Sequence, residues 1–84
     1  MELLFTARFL RSLKKLSPEV QKDVIASVEE FKNKKNHKKL GLHKLHGDMK
    51  AYHAFSSNFY HRVIIKISKT KVYCMDVGTH DVYK

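Results

Sequence analysis

Apolar residues change their spacing twice along this 84-residue chain, and those changes divide it into elements. Met1 to Phe5 is a short apolar run that predicts a first strand. From Ala7 the spacing becomes helical. Phe9, Leu10, Leu13 and Leu16 recur at steps of three and four, with Arg8, Arg11, Lys14 and Lys15 between them. Thr6 stands where a helix cap belongs, and the lysines near the helix end suit its negative pole. Ser17-Pro18-Glu19 restarts the pattern with a capping serine, a proline at the first helical position and an acid in the first turn. Val20, Val24, Ile25, Val28 and Phe31 then trace one face of a second helix, predicted to run to about Lys34. So short a join predicts an antiparallel helix hairpin, whose apolar stripes need a sheet to cover them.

Beyond Gly47-Asp48 the period falls to two. Three strand-like runs follow, at 51–56, 59–67 and 71–77. Ser56-Ser57-Asn58 and Ser68-Lys69-Thr70 are the links of an antiparallel meander. In the middle run His61, Val63, Ile65 and Ile67 share one face, and Tyr60, Arg62, Ile64 and Lys66 share the other. The first set is the more apolar and should lie under the helices, which leaves Arg62 on the open face. The fold class is therefore α+β: an N-terminal strand and an antiparallel helix hairpin packed on a small antiparallel sheet, one domain over residues 1–84.

Between the helices and the meander the chain turns basic. From Lys32 to His46 there are six lysines, three histidines and no acid. Leu42 and Leu45 can anchor this stretch, but Lys34 to Lys39 is too polar for a core and reads as a loop, with His37 solvated. The whole chain holds 17 lysines and arginines against 8 acids, a formal net charge of +9, which favours polyanions or an acidic protein partner. No apolar run approaches the ~20 residues that span a bilayer. Met1 to Phe5 lacks the pattern of a signal peptide. Cys74 is the single cysteine, so no disulfide within the chain is expected, and the setting expected is cytoplasmic.

Chemistry concentrates in groups from separate segments: His43, His46, His53, Arg62, His80 and Tyr83. The last two follow Gly78 in the run Gly78-Thr79-His80-Asp81-Val82-Tyr83-Lys84, where a glycine lets the chain leave the third strand. A pair of histidines, or histidine with tyrosine, can move protons at neutral pH. Arginine can stabilise charge on a phosphate, and Lys38, Lys39, Lys44 and Lys50, with His46, can hold a polyanionic backbone. Together they suit RNA cleavage by the RNA's own 2′-hydroxyl, which needs a base, an acid and a cation. His43 and His46 could join a third histidine on zinc, but no paired-cysteine motif accompanies them, and no metal or other cofactor is expected. No phosphate-binding glycine loop or serine-hydrolase motif occurs.

Three short matches carry a family resemblance: His43-Lys44-Leu45-His46-Gly47, Tyr60-His61-Arg62-Val63-Ile64-Ile65, and Asp76-Val77-Gly78-Thr79-His80-Asp81-Val82-Tyr83. In this order, after a strand and a helix hairpin, they resemble the RelE/ParE superfamily, most of all the RelE- and YafQ-type mRNA interferases of type II toxin–antitoxin systems. The resemblance implies a toxin with a cognate antitoxin partner. It implies a metal-independent endoribonuclease that enters the ribosomal A site and cuts mRNA, leaving a 2′,3′-cyclic phosphate and a 5′-hydroxyl. His80 matches the histidine of the YafQ-type Gly-Thr-His ending and would be the general acid. Arg62 matches the arginine after an aromatic residue in the strong strand and would stabilise the phosphorane. His43 matches a YafQ-type histidine, and His53 aligns with a RelE catalytic lysine; either would be the base. The YafQ comparison instead puts a functional histidine at Ser56. Tyr83 resembles the family's C-terminal aromatic and would orient the phosphate or stack on a base. Two other readings compete: a ParE-like inhibitor of DNA gyrase, which the same fold would serve, and a non-catalytic module that binds RNA or the ribosome through its lysines.

Overall fold

The computed structural model describes residues 1–79 and Val82. Its elements run β1 (Glu2–Phe5), α1 (Ala7–Lys14), α2 (Pro18–Phe31), β2 (His43–Lys44), β3 (His53–Ser56), β4 (Arg62–Ser68) and β5 (Lys71–Gly78). Short 3-10 turns at Lys34–Asn36 and Gly47–Met49 flank β2. Two helices pack on a five-stranded sheet of order β1-β5-β4-β3-β2. The sheet is mixed: β1 runs parallel to β5, and every other pair is antiparallel. No helix is long and apolar enough to cross a membrane among the described residues.

Both predicted caps form. Thr6 accepts the Phe9 amide at 3.1 Å and donates to the Cys74 carbonyl at 3.0 Å, so one hydroxyl starts α1 and pins it to β5. Ser17 accepts the Val20 amide, and Pro18 opens α2. The second helix ends at Phe31, three residues short of the prediction. Side chains supply the reason. Asn36 Nδ2 donates to the Glu30 carbonyl at 2.9 Å, and His37 Nε2 donates to the Phe31 carbonyl at 2.9 Å. These bonds satisfy the open end of the helix and fold the lysine-rich stretch back on it. His37 is therefore not solvated; its half-buried ring stacks on Phe31 with centroids 4.3 Å apart.

The main core lies between helices and sheet and holds Phe9, Val24, Val28, Phe31, Leu40, Phe55, Val63, Ile65, Val72, Cys74 and Val77. Ile25, expected there, is 54% exposed. It stands ~100° around the helix from Val24, off the stripe of Val20, Val24, Val28 and Phe31. Ser27 is buried in its place and returns its hydroxyl to the Val24 carbonyl at 2.7 Å. Burial pushes the Cys74 thiol up to about 12, which makes it an inert core group.

A second, smaller cluster covers part of the open face. Leu45, Ala54 and Ile64 are buried there against Met49, Tyr52, Met75 and Val82. Two sheet features shape it. The strand β2 did not stand out in the sequence, because it has only two residues and both are polar. The other is a bulge: Ile64 pairs with Asp76 but Ile65 with Cys74, so Met75 is the extra residue of β5. Cys74 and Val77, three apart, consequently both face the helices. The predicted strand over 59–67 begins only at Arg62, because Asn58 holds residues 58–61 in a turn. Its Oδ1 accepts the Tyr60 amide at 2.9 Å and the His61 amide at 2.8 Å.

Candidate functional site

Residues directly opposite in an antiparallel pair share a face, so the register sorts the candidate groups. Ser56, Arg62 and Gly78 form one row across β3, β4 and β5. His43, Ala54, Ile64 and Asp76 form the next row. Both rows lie on the open face, since Ala54 and Ile64 belong to the smaller cluster. Lys44, His53 and Ile65 are aligned on the opposite face, the one that holds Phe55 and Val63. His53 therefore does not share a face with Arg62.

Arg62 is half-buried, and its Nη1 donates to the carbonyls of Asn58, Phe59 and His61 at 3.1 to 3.2 Å. Nε and Nη2 bond to none of the described residues. Arg62 thus braces the β3–β4 turn through Nη1 alone, which leaves Nε and Nη2 without a described partner. His43 is exposed, and its Nδ1 lies 2.9 Å from the Gly41 carbonyl. A carbonyl only accepts, so Nδ1 carries the proton and neutral His43 keeps its lone pair on Nε2, where a base needs it. Two strand spacings and two residues separate His43 from Arg62, roughly 12 Å between backbones. That is close enough for two long side chains to flank one nucleotide but not to touch.

His53 is half-buried, with Nδ1 shut away from any hydrogen-bond partner among the described residues. Burial first, then the positive charges of Lys44 and His43, hold its imidazole below the ordinary histidine range. The folded protein therefore binds this proton less well than the unfolded chain. Stability is full above about pH 6.5 and falls as the pH drops from there toward the depressed value. His53→Gln should flatten that acid-side loss in urea unfolding measured from pH 7.5 to 5. An identical pH slope in the variant would show that His53 is not its source.

Of the predicted backbone-binding groups, Lys38, Lys44, His46 and Lys50 are exposed. Lys39 is not available in the same way, because its Nζ pairs with Glu30 at 2.6 Å. Lys44 and Lys50 flank the start of β3, whereas Arg62 pairs with Ser56 at the end of that strand. His80 and Tyr83 lie outside the described residues. The chain leads toward them from Gly78, opposite Arg62. Gly78 itself has no positive φ, and a Cβ there would meet Val82 at an ordinary 3.5 Å, so that strand end does not require glycine. Among the described residues, no group of three or more histidine, cysteine, aspartate or glutamate side chains is placed to hold a metal ion.

The sequence reading missed a groove beside these rows. It has a volume of about 390 Å³ and is lined by Arg8, Asp48, Met49, Tyr52, Ile64, Met75, Asp76 and Val82. Asp76 organises its wall, accepting Ser12 Oγ at 2.6 Å, the Val77 amide at 2.8 Å and Arg8 Nε at 3.2 Å. The bulge at Met75 sets this geometry, and bulges leave little trace in an apolar run.

A mixed five-stranded sheet with one helix-covered face and one partly open face defines the class to which the chain's architecture conforms, the RelE- and YafQ-type toxin fold. Three solved structures document the likeness. A toxin–antitoxin complex, RelBE2 of Mycobacterium tuberculosis, is 22% identical with a TM-score of 0.67, over 94% of this chain and 96% of that one. YafQ of E. coli is 12% identical with a TM-score of 0.73, over 98% and 96%. The YoeB–YefM complex of Staphylococcus aureus is 13% identical with a TM-score of 0.73, over 95% and 97%. No protein-family model and no curated protein matches the sequence.

Proposed function

We propose that this protein is the toxin of a type II toxin–antitoxin pair and a metal-independent endoribonuclease that cuts mRNA in the ribosomal A site. The observation that carries the reading is the placement of Arg62 on the open face, opposite Gly78 and with Nε and Nη2 unpaired among the described residues. The similarity of the whole fold to toxins from toxin–antitoxin complexes supports it. In the reaction the 2′-hydroxyl loses its proton to a base and its oxygen bonds to the adjacent phosphorus. The bond from phosphorus to the 5′-oxygen breaks, and an acid returns a proton to that oxygen. His43, with its lone pair at Nε2, takes the role of base in preference to His53, which lies on the other face. Arg62 offsets the charge gathered on the phosphorane. His80 is the acid, and Tyr83 orients the phosphate or stacks on a base. Exposed Lys38 and Lys50 attract the strand, whereas Lys44 is aligned with His53 on the other face. An antitoxin with an acidic segment would neutralise the same face.

The test is a primer-extension map of mRNA in a translation reaction. Discrete cuts within codons, absent with His80→Ala, are the expected result. Uncut mRNA with normal translation would reject the nuclease reading. A gyrase supercoiling assay would then examine the ParE-like alternative.

A further inference from the structure

The turn between β3 and β4 presents two aromatic rings to water. Phe59 is 84% exposed and Tyr60 70%, the highest values among the exposed large hydrophobic side chains described. The rings meet edge to face, with centroids 5.1 Å apart and planes at 80°. A loose loop would let such rings fold down onto the protein, but this turn is built to hold them out. Asn58 Oδ1 gathers the amides of Tyr60 and His61 and lies 3.0 Å from the His61 ring Nδ1. Asn58 Nδ2 ties the turn to Asp23 of α2 at 3.1 Å. Arg62 Nη1 clamps three of its carbonyls. Because Arg62 pairs with Gly78, the turn stands at the end of the open face.

We propose that Phe59 and Tyr60 are a stacking platform for bases of the single-stranded RNA whose phosphate Arg62 engages. The inference rests on the nuclease reading and adds a subsite to it. Every base has a π-face, so stacking on aromatic rings holds a strand regardless of sequence. A net charge of +9 favours a polyanion, and the Arg62 guanidinium follows two residues after Tyr60. A strand laid over this turn would place bases on the rings and backbone near the guanidinium. A partner helix would instead find its concave apolar seat elsewhere, between α1 and α2, where Phe5, Leu10, Leu13 and Ile25 line a groove of about 280 Å³.

The chain contains no tryptophan, so Phe59→Trp supplies a single indole, which can be excited apart from the four tyrosines, while keeping an aromatic face. Its emission should be quenched by a 2′-O-methyl oligouridine, which cannot be cleaved through its 2′-oxygen. By anisotropy, the Phe59→Ala/Tyr60→Ala double variant should bind that oligonucleotide at least ~10-fold more weakly than the unsubstituted protein. An abasic strand of equal length should bind both proteins alike. Both truncations are at exposed positions, so matching thermal unfolding curves are expected. Equal affinity for the base-bearing strand, or an equal loss with the abasic strand, would overturn the platform. So would a double variant that keeps RNA affinity and loses only an antitoxin. Failure of the nuclease reading looks different: the oligouridine quenches and binds as expected, but mRNA stays uncut.

Discussion

Arg62→Ala should lower mRNA cleavage by at least ~100-fold, the scale lost when one positioned charge donor is removed from a transition state. The side chain has two jobs in the structure, and the experiment must part them. Nη1 holds the carbonyls of the 58–61 turn, while Nε and Nη2 have no partner among the described residues. Alanine removes both. Arg62→Gln is the discriminating partner, since its amide can still donate to a turn carbonyl but carries no charge. If charge stabilisation dominates, glutamine should be almost as inactive as alanine in single-turnover cleavage, and its melting temperature should stay near that of the parent. If glutamine cleaves nearly as well as arginine, the cation is not needed and Arg62 serves the turn alone. An Arg62→Ala protein that melts normally and cuts at the parental rate would remove both roles from the chemistry.

Arg62 was legible in the sequence because strict alternation around it fixed its face. Val63 and Ile65 had to go under the helices, so Arg62 and Ile64 had to face outward. The same rule could not place His53. Its face depends on register with Ile65, and register is set by the turn at 57–61, whose length the apolar run Phe59-Tyr60 concealed. The period-two pattern ran straight through that turn. The clue was Asn58, whose short amide can satisfy the amides two and three residues on and stop a strand from forming. The caps were readable because a cap is local: Thr6 and Ser17 bond to amides three residues away. The groove around Asp76 was not. It joins α1 to a bulge some 64 positions later through Ser12, a contact no local pattern encodes. Lys39 shows the same limit from the electrostatic side. A run of six lysines reads as one basic surface, yet the fold lays one of them against Glu30.

Phe31→Ala should be the most damaging core change, costing about 3–5 kcal/mol from lost burial and the cavity left behind. Phe31 is the hinge between the helical layer and the basic stretch. Its ring is buried, stacks on Phe55 of β3 with centroids 4.8 Å apart, and carries the His37 ring on its other side. Its carbonyl also accepts His37 Nε2, so the residue both fills the core and ends the helix. For a domain whose total stability is on the order of 5–10 kcal/mol, such a loss leaves little in reserve. At ~4–8 °C per kcal/mol for a chain of this size, the melting temperature should fall by at least ~12 °C. His37→Ala isolates the smaller part, one stacking contact and one hydrogen bond, and should cost only about 1–2 kcal/mol. Urea unfolding of the two variants reads both numbers. Equal losses would mean that the contacts of His37, rather than the burial of the Phe31 ring, hold the stretch from Lys32 to Leu42 in place. A loss below about 1 kcal/mol for Phe31→Ala would contradict its place in the core. If the large loss is found, the consequence reaches the open face. That stretch delivers Leu40 to the core and leads directly into His43, so the position of His43 depends on a stack formed on the far side of the sheet.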